Sequence, residues 1–581
     1  MPNDSAALAA KAALARADTI KTPTARPYTP RSAEIGANGW HWNREALFAS
    51  GALTLGELLA FVPGVSLMST GFILAPQVAA WYGDPGGVRV FVDGVELVSV
   101  NTRNGGLNDF ALPPLWAIED VSVERAAGEL RVHLRSWRVD RTSPETRVDV
   151  LTGSENINLY RGFLGNRLGN GGVIQLAAQQ FSTQSNAGLD GDALGAMGRV
   201  GWARGSWSLD GTYLRQGASR KSGTRYLGLL TPVVQNAIPE FTGSESVAYL
   251  RAAWRDPEVS GPWAQVIVSQ IGAVVSHASQ SLGTAPAGGP AVTLVDTTAV
   301  RAQYILSAGL SRWGLRLSST TRVRPIRGTT YVAPGARVEY DSRLLTVSAF
   351  GERGVDSTTR TDVIARLAPF RWFNMGGAVS RATPKSLAPG PAVTASRVEA
   401  GLMWRDRWVT GGVVRGSATR LRAPVELDSA VVGASAPAAM GTFVSFRGPL
   451  LFGWGLDVDL INWDSAGYYR PKQQARSRLW FESSFLKTFP RGNFHLSVSG
   501  SYDYRAATRW PPGTVAPPGT TAALALVPPS TIYSTLLEIR IGTAVLTWQN
   551  RNLLGTVYQT YPGYVMPRLT NVYGLRWDFR N

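Results

Sequence analysis

The chain has 581 residues, 58 Lys+Arg against 41 Asp+Glu, a formal net charge of +17 and no cysteine. The missing cysteine removes disulfides, zinc–thiolate sites and cysteine nucleophiles, and the absence of any apolar run of about 18 or more residues removes transmembrane helices. Only 17% of residues are charged, while the chain holds 62 Gly, 19 Trp, 18 Tyr and 19 Phe, so the composition favours a β architecture with a large apolar exterior.

Residues 1–32 are polar, with Pro23, Pro27 and Pro30 in quick succession, and read as a flexible segment. Ala6 to Ala17 is Ala-rich but broken by Lys11 and Arg16, so no secretory signal is visible. Residues 33–137 read as a compact α+β domain. Leu53 to Leu59 has helical periodicity and stops at Pro63-Gly64. Val88 to Val92 is a β-branched run that ends in Asp93-Gly94, a tight hairpin signal, and resumes at Val95. Leu115 to Asp120 then leads into the strand Val121-Ser122-Val123-Glu124.

Residues 138–581 are repetitive alternation. Trp207, Leu209, Gly211 and Tyr213 fall on one strand face, with Ser206, Ser208, Asp210 and Thr212 on the other. Phe452, Trp454, Leu456, Val458 and Leu460 repeat the pattern, as do Phe494, Leu496, Val498, Gly500, Tyr502 and Tyr504. At the end of the chain Tyr573, Leu575, Trp577 and Phe579 alternate with Gly574, Arg576 and Asp578. A soluble sandwich places Lys and Glu on its outer face, whereas here the outer face is apolar and aromatic. About twenty-two such segments fit between Arg147 and Phe579, which predicts a transmembrane β-barrel of about 22 antiparallel strands, wide enough to need a plug. Residues 282–293, 421–440 and 504–531 read as outward loops. The arginines are dispersed rather than clustered, which suits lumen-facing and loop positions and gives no nucleic-acid site.

These two halves together resemble the TonB-dependent receptors of the outer membrane. The matching residues are Thr54-Leu55-Gly56-Glu57-Leu58-Leu59, Val62-Pro63-Gly64-Val65, Val88 through Leu97, Ile118 through Arg125, and the C-terminal stretch from Asn552 to Phe579. The resemblance implies that the α+β domain is a plug inside the barrel lumen. It also implies an outer-membrane location in a Gram-negative-type bacterium and a TonB-type inner-membrane energy-coupling complex as partner. Outer-membrane lipid and lipopolysaccharide would surround the barrel, and a small-molecule ligand, unspecified by the sequence, would be imported by plug rearrangement. A siderophore, cobalamin or similar chelate, or a small glycan, fits that role. Asp18-Thr19-Ile20-Lys21-Thr22 resembles the energy-coupling segment of the family, the TonB box, with an arbitrary linker as the alternative. An extended segment of this kind is grasped by adding a strand to a partner's sheet edge.

Two features suit a ligand-facing plug apex: Trp81 with Tyr82, and the polar tract holding Asn101, Arg103 and Asn104. Plug–barrel packing and loop chemistry explain both equally well. The four histidines, His41, His133, His277 and His495, have no metal-ligand spacing, so neither metal nor cofactor is expected. A barrel-wall hydrolase would need His495 beside a Ser and an acid from neighbouring strands; Ser497 and Asp503 share its strand face, as Ser and Asp do on most strands here, and no nucleophile motif supports catalysis. An energy-coupled importer is the leading expectation. A passive substrate-selective channel and a non-transporting receptor for adhesion or signalling are the rivals.

Overall fold

Buried and exposed residues alternate along the long strands of the computed structural model, and this period of two is what lets one sheet face lipid outside and a packed lumen inside. The structure describes residues 26–30, 40–71, 74–99, 107–139, 143–184, 190–221, 225–227, 231–233, 241–276, 297–326, 328–354, 357–384, 391–422, 434–485, 488–489, 493–511 and 526–580. Twenty-two strands, from Glu145–Gly153 to Thr570–Arg580, form one closed antiparallel barrel. The last strand closes on the first, with Val572 opposite Gly153 and Arg580 opposite Glu145. Closure pairs every edge, the condition for β-structure in lipid.

The two barrel ends differ. At one end neighbouring strands are joined by short links such as residues 205–206, 313–314, 371–372, 405–406 and 542–543. At the other the links include 221–240, 277–296, 506–529 and 552–569. The chain enters and leaves the barrel at the short-link end, where Glu145 pairs Arg580. Tyr573, Leu575, Trp577 and Phe579 face outward as their alternation predicts. Phe452 differs from expectation: it lies in a link at φ +54° and 91% exposed, and its strand begins at Trp454. Two expected loops are shorter than the sequence suggested. Ala439–Pro449 and Ser530–Ile541 are already barrel strands, and small two-stranded ladders pair Thr419–Leu421 with Ala434–Ala436 and Thr508–Arg509 with Leu526–Val527. Strands built of Ala, Gly, Ser and Thr carry too little hydropathy contrast to show their period. Residues 282–293 lie outside the described residues.

The plug strands are β1 (His41–Asn43), β2 (Val65–Ser69), β3 (Gln77–Trp81), β4 (Val88–Val92), β5 (Val95–Leu97), β6 (Ile118–Arg125) and β7 (Leu130–Ser136). Five form a sheet in the order β1-β6-β7-β4-β5, with β4 parallel to β7, and β2 and β3 form a separate hairpin. Asp93 and Gly94 take φ +49° and +86°, the two positive values that a tight hairpin turn requires. Helix α1 (Arg44–Ala49) is capped by the Asn43 side chain. Helix α2 (Leu55–Leu59) is capped reciprocally: Thr54 Oγ1 accepts from the Glu57 N–H at 3.2 Å, and the Glu57 carboxylate accepts from the Leu53 N–H at 2.9 Å. Leu55, Leu58, Val90, Val121 and Val132 form the plug core, which runs on through Trp116 and Trp137 to Phe163, Met197 and Leu214 of the wall. Plug and barrel therefore share one core.

Val200 is outward-facing and exposed on the strand Gly191–Arg204. Val200→Arg is expected to cost about 2–4 kcal/mol, because a cation near the bilayer midplane loses its hydration. Urea titration of folding into lipid vesicles measures this.

Candidate functional site

On one side the plug meets the wall through buried charge. Arg131 of β7 donates to Glu124 at 2.9 Å, to Glu129 and to Asp362 of the wall. Wall residue Arg337 grips Glu124 through two bonds of 2.9 Å each. Arg89 of β4 bonds Glu96 at 2.8 Å and also reaches Glu352, while wall residue Arg324 bonds Glu96. Burial opposes ionisation of Glu129, but Arg131, Arg89 and Arg360 overcome it and hold the carboxyl at about 2. The same balance, burial against Arg337 and Arg131, keeps Glu124 well below the usual carboxylate range. A neighbouring contact joins Asp93 to the Tyr249 hydroxyl at 2.6 Å and to Ser136. Asp210 there holds Arg199 at 2.7 Å and Arg251 at 2.8 Å. Residues before the plug join this side: Tyr28 stacks on Trp263 at 5.2 Å and donates to Glu339 at 3.3 Å.

The opposite side is looser. A crevice of ≈ 320 Å³ separates α1, α2 and β2 from the wall strands between Trp454 and Arg551. It is spanned by a bidentate pair, Arg551 to Glu57 at 2.6 and 3.2 Å, with Arg551 also donating to the Gly51 carbonyl at 2.8 Å. Gln474 reaches Ser66 Oγ at 3.0 Å, and Thr560 Oγ1 and the Ser69 backbone bond each other at 2.9 and 3.1 Å. Among the described residues the lining holds Arg476, Arg478, Arg505, Arg551 and Arg568 against Glu57, Asp459 and Asp503. Arg551 takes Glu57, and Arg447 takes Asp459 at 3.0 Å, so the lining keeps an excess of positive charge. Tyr558 adds a phenol pushed up to about 12 by burial. The arrangement suits an anionic solute with several oxygens. The spacing of Arg476 and Arg478 on one strand face was the only sequence signal for it.

Of the sequence-predicted apex residues the structure describes Trp81 and Tyr82, which stay together. Trp81 is 2% exposed at the end of β3, and Tyr82 stacks on it at 3.8 Å and meets Trp463 edge-on at 5.4 Å. Tyr82 and Gly83 turn the chain at φ +50° and +89°, and a Cβ on Gly83 would lie 2.7 Å from Arg470 Cβ. Above the β2–β3 hairpin an aromatic cover forms from Tyr469, Trp510, Tyr561 and Tyr564. Asn101, Arg103 and Asn104 lie outside the described residues, as do Asp18, Thr19, Ile20, Lys21 and Thr22. His495 bonds Ser484 at 3.2 Å and faces Arg540 on the next strand. Asp503 lies eight residues farther along that strand, about 27 Å away, so the two share a face but no site.

Residues 35–133 match the model of the TonB-dependent Receptor Plug Domain. Among curated proteins none matches the chain. The fold of the whole chain is similar to that of the siderophore receptor PirA from Acinetobacter baumannii, with TM-score 0.68 and 11% identity over 93% of this chain and 98% of that one. It is similar to the FrpB iron transporter from Neisseria meningitidis, with TM-score 0.67 and 11% identity over 93% and 98%. It is also similar to the copper transporter OprC, with TM-score 0.67 and 11% identity over 95% and 100%.

Arg131→Ala leaves Glu124, Glu129 and Asp362 short of a cation, a loss of about 3–5 kcal/mol for a broken buried pair. The urea concentration that opens the barrel to ion flow in a planar bilayer should fall accordingly. The Glu129 carboxyl is depressed, from 4.5 to about 2, so its contribution is complete above pH 4.5 and is lost as pH falls toward 2. Opening midpoints measured between pH 5 and pH 2 should fall more steeply in the parent chain than in Glu129→Gln.

Proposed function

Starting from a chain whose plug domain and 22-stranded barrel are those of the TonB-dependent receptors, we propose that it imports a scarce solute across the outer membrane by energy-coupled rearrangement of the plug. The observation that carries this reading is the shared plug–wall core with its buried ion pairs. A lumen filled in this way passes no large solute until work is done on the plug. Each buried pair broken costs about 3–5 kcal/mol, beyond thermal supply when several must open together. A TonB-type complex grasping Asp18–Thr22 would deliver that work from the periplasm. The crevice beside Glu57 and Arg551 is the side on which fewest contacts must break.

The fold relatives are named for siderophore, iron and copper transport, which supports a metal chelate or similar small solute as cargo. The arginine excess in the crevice favours an anionic one. In this reading the chain changes no covalent bond of its cargo and needs no cofactor.

Planar-bilayer conductance of the full-length protein, beside a version lacking residues 1–137, tests the plug. Silence in the first and a large steady conductance in the second are expected, and conductance in both would indicate a passive channel. In cells, deletion of Asp18–Thr22 is expected to abolish uptake of ferric chelates while leaving the barrel in the membrane. Undiminished uptake would remove energy coupling from the reading.

A further inference from the structure

A row of arginines faces the lipid on one sector of the wall. Arg353, Arg381 and Arg415 are exposed, whereas the chain neighbours Glu352, Ser380 and Val414 are buried toward the lumen. Their strands are Leu345–Arg353, Phe373–Thr383 and Arg407–Gly416, which alternate with two others around the wall. Each arginine stands eight residues beyond the first residue of its strand, Leu345, Phe373 or Arg407, at the short-link end. Equal distance from that end puts the three at one height. Eight residues of tilted strand rise about 20 Å, near the top of an apolar band about 25 Å tall. Alternate strands place them about 10 Å apart across the sheet.

The surroundings of the row are specific. Below it, the outward positions include Ala349, Gly351, Gly377, Val379, Gly411 and Val413, which are small or apolar. Beside it, the residues in register within the sector are hydroxylic: Thr359 opposite Arg353, Thr361 and Thr394 opposite Arg381, and Ser396 opposite Arg415, whose other neighbour is Met440. The described outward positions of these five strands carry no carboxylate. Above the row the links lengthen from residues 354–358 to 384–392 and 417–438. An unpaired guanidinium at the edge of hydrocarbon is costly unless an anion meets it, and phosphate is met bidentately.

We propose that Arg353, Arg381 and Arg415, with the threonines and serine between them, form a binding site on the outer barrel surface for a phosphorylated glycolipid of the outer leaflet. Its phosphates would bridge neighbouring arginines, its sugar hydroxyls would meet the Thr and Ser side chains, and its acyl chains would lie on the small-residue wall below. Several phosphates on one head group match a level row of cations better than the single phosphate of a phospholipid. The proposal rests on the outer-membrane reading, which takes the long-link end as the outside, but not on import or its cargo.

The test titrates the detergent-solubilised full-length protein with bisphosphorylated lipid A, its dephosphorylated form and phosphatidylglycerol. The parent chain should bind the bisphosphorylated lipid tightest. The Arg353→Gln/Arg381→Gln/Arg415→Gln variant should lose about a hundredfold at low salt, as expected for three surface cation contacts. Arg215, eight residues into Trp207–Arg220 at the same height but flanked by Ala196 and Ser246, is the control, and Arg215→Gln should change little. Heat-modifiable electrophoretic mobility reports barrel folding. Should the triple variant not fold, Arg381→Gln at the centre of the row should still lose severalfold. Parent-like binding by the triple variant or, if it does not fold, by Arg381→Gln overturns the site. Equal binding of phosphatidylglycerol, or an equal loss in Arg215→Gln, overturns the glycolipid assignment. Plugged, silent bilayers from a variant that has lost lipid binding would leave the import reading intact.

Discussion

The guanidinium of Arg131 is where plug and barrel become one structure. It is almost fully buried and meets two carboxylates of the plug and one of the wall. Removing any partner strands charge in a medium that cannot solvate it, so the contacts must form together and part together. Arg337 extends the same logic, since it bonds Glu124 from the wall and shares that carboxylate with Arg131. The polar lumen face that keeps the barrel compatible with lipid outside thereby also keeps it shut.

The hold is uneven around the circumference. Strands from Leu315 to Thr383 contribute Arg324, Arg337, Glu352 and Asp362, each bonded to the plug. Strands from Trp454 to Arg551 contribute Arg551, Gln549 and Gln474, with Arg476 over the Phe61 ring, Arg540 near Glu45, Trp463 against Tyr82, and open volume between. A plug gripped on one flank and lightly tethered on the other has a preferred direction of yielding. Among the described residues the one bidentate ion pair on that flank is Arg551 with Glu57.

Much of this was legible from the chain and some was not. Alternation of aromatic with small polar residues disclosed the barrel, and Asp93-Gly94 and the helical periodicity of Leu53 to Leu59 disclosed plug elements, because each depends on residues close in sequence. Glu124 and Arg337 are 213 residues apart, and no local pattern links them. Trp81 and Tyr82 suited either a ligand or packing, and only the plug core around Trp81, with Trp463 edge-on to Tyr82, shows how they are packed. The dispersed arginines read as lumen and loop residues, which holds for Arg199, Arg324 and Arg337. It misses Arg353, Arg381 and Arg415, because the face of a single arginine depends on strand parity, and parity is fixed only when the strand's first residue is known.

The segment ahead of the plug attaches to the gripping flank, not to the loose one. Tyr28 stacks on Trp263 and donates to Glu339, which also pairs with Arg316 at 3.4 Å and lies 3.8 Å from Arg337. Arg337 in turn holds Glu124 of the plug. A pull arriving through the N-terminal chain would therefore meet the wall at Tyr28 before tensioning the plug sheet. Drawing Tyr28 out would also remove a donor from the Glu339 carboxylate, which then competes for Arg337 against Glu124. Tension applied ahead of Tyr28 would thus act first on the flank that carries the charged network.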